Sequence, residues 1–179
     1  MGLLSSLPST EVSSHARIIT PISLDPSRPW GFFDGASQGS RCGGGAILFL
    51  TSSHYFVLSC GLGDETNNFA ELLSLKMLLC FALEKECQSL SVFGDSLNVI
   101  NWINGSQLCR NLFLGNILES IHDISSSYSS FCSSHIYREL NMRADAASKA
   151  GLLLNPGIWH IKEVDNSEVQ EYLHSPFPV

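Results

Sequence analysis

Missing from this chain is any Cys-x-x-Cys pair. Its six cysteines stand at 42, 60, 80, 87, 109 and 132, which excludes the usual ligand spacing of a structural zinc site. Several sit in apolar runs, as Cys80 does between Leu79 and Phe81, where a free thiol behaves as a small hydrophobe. Reduced cysteines in an intracellular protein, nuclear or cytoplasmic, are therefore expected in place of a disulfide framework. Long apolar runs are absent too. None approaches the roughly 18 residues needed to span a bilayer, so no membrane association is expected. The opening Met1-Gly2-Leu3-Leu4-Ser5-Ser6 fits the N-myristoylation pattern, but so few positions are fixed that Gly2 is not assigned a lipid. It also lacks the basic start and apolar run of a secretory signal. Positive charge is scarce: ten Lys and Arg face seventeen Asp and Glu, for a formal charge of −7. A nucleic-acid binder normally carries a basic footprint, so any polyanionic substrate would be held weakly and in a salt-sensitive way. With 44% hydrophobic and 15% charged residues, the 179-residue chain is not disordered; it has the size of one domain plus a modest tail, and a monomer is expected.

Residues 1–28 are rich in Ser, Thr and Pro without a sustained period, and form an expected flexible lead-in ending at Pro26-Ser27-Arg28-Pro29. Residues 30–35, 42–50 and 54–62 are apolar, β-rich runs separated by turns, which predicts an antiparallel meander. Gly43-Gly44-Gly45 within the second run predicts a close backbone approach or a bulge. A helix is expected over 68–86, capped by Asn67 or Asn68, then a buried strand over 89–94 and a helix from Asp95-Ser96 to Ile103. A helix over 110–124, a strand over 131–137 and a helix over 141–153 complete a βββαβααβα pattern. The fold class is α/β, with a mixed sheet of three antiparallel strands followed by parallel additions. The domain is expected over 29–155, with 156–179 a peripheral tail.

Four acids stand out: Asp34, Glu71, Asp95 and Asp145. Each has an ordinary explanation. Asp34-Gly35 could be a hairpin turn, Glu71 a capping-box partner of Asn68, Asp95 an N-cap, and Asp145 a favourable charge in a first helical turn. Their placement argues otherwise when taken together. By its two-residue period Asp34 shares a strand face with Trp30 and Phe32, and a lone buried carboxylate there costs several kcal/mol. Asp34 and Asp95 can lie side by side on neighbouring strands, with Glu71 and Asp145 delivered by helix starts. Two unit charges at 4 Å repel by about 4 kcal/mol at an effective dielectric of 20. Convergence of four would call for divalent cations, which oxygen ligands hold for phosphodiester hydrolysis.

Phe33-Asp34-Gly35-Ala36, Thr66-Asn67-Asn68-x-x-Glu71, Gly94-Asp95-Ser96 and Asn141-x-x-x-Asp145 followed by Ala146-Ala147-Ser148-Lys149 resemble the ribonuclease H type 1 domain. The chain looks most like the branch found in plant genomes as retroelement-derived reverse-transcriptase tails, over residues 29–153. The resemblance implies a five-stranded sheet flanked by helices. It also implies endonucleolytic cleavage of the RNA strand of RNA–DNA hybrids, leaving a 3′-hydroxyl and a 5′-phosphate. Two Mg²⁺ ions, which Mn²⁺ can replace, are implied as cofactors. On this basis Asp34 bridges both metals, Glu71 and Asp95 complete the first site, and Asp145 helps hold the second. Asn67 and Asn68 match hybrid-contacting positions, and Gly35, Ala36, Ser37 and Ser96 are further substrate-binding candidates beside the acids.

The chain departs from the family at three places. His135 to Asn141 leaves no room for the His-bearing loop of bacterial and animal relatives, so His135 is expected to be structural. The basic handle is missing, since Asn104 to Arg110 holds one cation, and Leu97 replaces a polar contact residue. These departures motivate an alternative, a weak or inactive retroelement-derived module that binds nucleic acid or protein. An exonuclease or integrase-like nuclease of the same superfold is a third reading, disfavoured by the Asn-Asn-x-x-Glu and Asn-x-x-x-Asp signatures.

Overall fold

The computed structural model describes residues 22–174. Most of the expected flexible lead-in, and Gly2 with its lipid pattern, lie outside them. An exposed turn at Asp25, whose carboxylate accepts hydrogen bonds from Ser27, precedes the first strand. The strands β1 (Trp30–Gln38), β2 (Arg41–Phe49) and β3 (His54–Asp64) form the predicted antiparallel meander. Helix α1 (Asn67–Glu84) crosses to β4 (Ser89–Gly94), which pairs parallel to β1. Helices α2 (Leu97–Ile103) and α3 (Leu112–Ser125) lead to β5 (Ser130–His135), parallel to β4. A 3-10 turn over Arg138–Leu140 enters α4 (Met142–Gly151), and β6 (Trp159–Asp165) and β7 (Glu168–His174) follow.

The mixed sheet has seven strands in the order β5-β4-β1-β2-β3-β6-β7, which corrects the five expected. The two additional strands come from the stretch after Pro156 that was expected to be peripheral. Trp159, Ile161 and Val164 of β6 are buried, so this strand is part of the core. All seven residues of β7 are exposed, so no hydrophobic alternation marks it in the sequence.

Helices cover both faces of the sheet. On one side α1 packs across β1 and β2 with α2 and α3 outside it, burying Phe33, Leu48, Phe56, Leu72, Leu75 and Leu79. Because α1 is covered by the sheet and by α3, it is apolar nearly all round, from Ala70 to Ala82. On the other side α4 covers Trp30, Ile47, Phe49 and Phe93, with Trp30 and Phe49 stacked at 4.9 Å. Burying each such side chain contributes about 1.5–3 kcal/mol.

Two glycines set how closely the helices approach. A Cβ on Gly35 would overlap the α1 backbone at Ala70 and Glu71. A Cβ on Gly45 would overlap the α4 backbone at Ser148 and Ala144. The Gly43-Gly45 run therefore marks both features the sequence predicts, a close approach and a register shift between Cys42 and Gly43.

Candidate active site

The turn explanation for Asp34 fails, because Asp34 and Gly35 lie mid-strand in β1, where Asp34 pairs with Gly45 of β2. The parallel β1–β4 pairing ends at Phe33 and Gly94. Asp34 and Asp95 each follow that last pair, so the register itself brings them level where the strands part. The capping explanations also fail. Thr66, not Asn67 or Asn68, caps α1 by accepting from the Phe69 N–H at 3.2 Å. Ser96, not Asp95, caps α2 by accepting from the Val99 N–H at 3.5 Å. Glu71 lies a full turn beyond the cap, too far for a capping box. Both carboxylates are thus left for other work.

Asp34, Glu71 and Asp95 offer oxygens that all lie within 4.8 Å of one another, with Asp34 and Glu71 buried. Asp145, in the first turn of α4, stands close enough to raise the Asp34 proton affinity further, and pairs with Lys149 at 2.9 Å. Desolvation dominates the titration of the buried pair. It pushes Asp34 up to about 7, with the Asp95 and Asp145 charges adding to the shift, and pushes Glu71 well above the usual carboxylate range. Glu71 Oε2 is buried without a hydrogen-bond partner. An orphaned buried carboxylate oxygen beside two more is a hard-cation donor set, so the residues fit a divalent metal.

The acids line an open cavity of about 550 Å³ together with Gly35, Ala36, Ser37, Gln38 and Asn67. Asn68 and Ser96 do not line it, and the Ser96 hydroxyl is engaged in capping. Three polar residues went unassigned in the sequence. Asn141 is buried and donates from Nδ2 to the Phe33 carbonyl at 3.0 Å and to Asp95 Oδ2 at 3.4 Å, tying the start of α4 to two of the acid-bearing strands. Arg138 and Lys149 bring cations to the cavity wall. Asn141 could have been found as part of the Asn-x-x-x-Asp signature, whereas nothing local distinguishes Arg138 from a surface arginine. His135 ends β5, the strand position expected of it; its Nε2 contacts the Asp95 carbonyl at 3.2 Å and its ring meets Tyr137 edge-on. A second cluster, His54 with Glu163 and Asp165, is already closed by a 2.9 Å His54–Glu163 hydrogen bond.

Residues 32–151 match the family model described as reverse transcriptase-like. The chain belongs to the reverse transcriptase-like family. Solved structures similar to this reverse transcriptase-like chain include type 1 ribonucleases H. Ribonuclease H1 from Halobacterium salinarum is 24% identical with a TM-score of 0.59, covering 70% of this chain and 97% of its own. The N-terminal ribonuclease H domain of a Mycobacterium tuberculosis protein is 23% identical with a TM-score of 0.65, covering 70% and 93%. A ribonuclease H1 isolated from compost, solved in complex with an RNA/DNA hybrid, is 22% identical with a TM-score of 0.59, covering 70% and 96%. At these identities the likeness is one of fold, and it bears out the mixed α/β class and the type 1 ribonuclease H resemblance. No curated protein matches the chain. All six cysteines are free, and no helix among the described residues is long and apolar enough to cross a membrane.

Proposed function

We propose that this chain is a metal-dependent endoribonuclease that hydrolyses the RNA strand of RNA–DNA hybrids. The observation that carries the proposal is the convergence of Asp34, Glu71 and Asp95 within 4.8 Å, with Asp145 alongside. Mg²⁺ or Mn²⁺ held by these four carboxylates would supply an activated water and charge stabilisation of the departing oxygen. Asp34 is central, since it adjoins Glu71, Asp95 and Asp145 alike. Asn141 fixes the orientation of Asp95, and Lys149 that of Asp145. Arg138, on the same wall, offers a forked cation suited to a phosphate. Gly35, Ala36, Ser37 and Asn67 present backbone and small polar groups, apt for the minor groove where the 2′-hydroxyl separates RNA from DNA. Asn68 and Ser96 flank that wall as outer contacts. The hybrid-bound compost relative supports this choice of substrate, and the motif spelling supports descent from the plant retroelement branch.

The test is cleavage of a labelled hybrid in Mg²⁺ or Mn²⁺. Asp34→Asn should lower single-turnover cleavage roughly a thousandfold, equivalent to about 4 kcal/mol at 1.36 kcal/mol per tenfold. Equal rates for the variant and the unaltered chain would sink the assignment. The acidic balance of −7 favours the second reading, a binding module without turnover. Saturable hybrid binding with no cleavage in either metal would establish that one instead.

A further inference from the structure

Strand β7 ends the sheet, and no strand among the described residues lies on its outer side. All of its residues are exposed, including Val169 at 54%, Tyr172 at 40% and Leu173 at 66%. An edge with unpaired amides and exposed apolar side chains is a template for another strand. The opposite edge, β5, differs, since it exposes Ser130, Cys132 and Ser134 and no large apolar group.

The hairpin fixes which β7 amides face outward. Asp165 and Glu168 flank a two-residue turn in which both Asn166 (φ 46°) and Ser167 (φ 72°) are left-handed, the favoured twist for such a loop. Glu168 therefore closes the turn by bonding back to Asp165. Hydrogen-bonding direction alternates along a strand, so Val169, Glu171 and Leu173 turn their N–H and C=O groups away from β6.

We propose that β7 pairs antiparallel with β7 of a second copy across a two-fold axis at Glu171. Only this register matches all three outward residues with outward residues. It sets Val169 against Leu173 of the second copy, twice, and Glu171 against its own mate. On the opposite face Glu168 meets His174, and Gln170 meets Tyr172. The interface is thus self-complementary in backbone bonding and apolar contact, as an isologous contact must be. The like-charge Glu171 pair is offset within each copy by Lys162, its neighbour in the β6 register. A monomer was the expectation from sequence; the edge that argues against it exists only once the tail has folded as a hairpin. This pairing is independent of the proposed nuclease activity, because β7 lies four strands from β1 and its Asp34.

Light scattering on the full chain, over rising concentration, tests the dimer. The mass should move from 19.6 kDa toward twice that value, about 39 kDa. Leu173→Pro removes one outward N–H and leaves the β6 ladder alone, so it should stay at the lower mass with an unchanged melting temperature. In a Cys132→Ser background, Glu171→Cys should form an intermolecular disulfide, because hydrogen-bonded partners lie about 5.5 Å apart at Cα. Gln170→Cys, whose mate sits two residues off register, should crosslink at least tenfold more slowly. A single mass near 19.6 kDa at all concentrations would overturn the proposal. So would a dimer that survives Leu173→Pro, or equal crosslinking of the two cysteine variants.

Discussion

Asp34 is the acid on which the proposed reaction depends most, and its titration is open to measurement. In the folded chain burial lifts it to about 7, whereas unfolded it returns to about 3.8. A carboxyl raised in this way binds its proton more tightly when folded. Its contribution to stability is complete below about pH 4 and is lost as the pH rises through about 7. With metal chelated, the melting temperature should therefore fall across that window. Asp34→Asn removes this charge, and should flatten the dependence and raise Tm at pH 8. A gain of about 1 kcal/mol corresponds to roughly 2–4 °C in a chain of this size. A parallel decline in the variant, followed by circular dichroism melts from pH 4 to 8, would contradict this account. The acid was conspicuous in the sequence because it interrupts an apolar strand. Arg138 was not, because its meaning depends on the wall it folds against.

At the scale of elements, the site depends on how closely α1 and α4 reach the sheet. Gly45 has no room for a methyl group against α4, and the obstructing atoms are backbone, which no rotamer change can clear. Gly45→Ala should cost about 1–3 kcal/mol, a fall in Tm of roughly 2–12 °C, and displace Asp145 enough to depress cleavage. Gly115, inside α3 with nothing near its would-be Cβ, is the matched control; alanine there should stabilise by about 0.5–1 kcal/mol. Comparative melting of the two variants decides the point, and similar destabilisation at both sites would refute the packing argument. The glycine run was legible as a sign of close approach, but its partner was not. Likewise a helix start was visible near Thr66, while which residue capped it required the geometry that frees Glu71.

The whole molecule is acidic, and its electrostatics limit how it can hold a polyanion. Of the cations in the cleft, Lys149 is bound to Asp145, which leaves Arg138 to meet substrate most directly. Hybrid affinity should then depend only shallowly on salt. A slope of log K against log salt near −2 corresponds to about two phosphate contacts, and Arg138→Ala should reduce its magnitude by about one. Fluorescence anisotropy between 50 and 200 mM salt measures it, and a slope steeper than about −5 would contradict a footprint this small. Local pattern determined much by itself: the βββαβααβα order, the free cysteines and the order of the four acids follow from periodicity and residue type within short windows. The tertiary structure decided the rest. The meeting of Asp34 with Asp95 depends on a parallel register between strands remote in sequence. Glu71 is freed by a cap made elsewhere, and the last two strands join a sheet whose partner lies a hundred residues upstream. Local sequence sets the propensity of each segment, but burial, register and desolvation arise only when distant segments share space, and those made four ordinary acids one site.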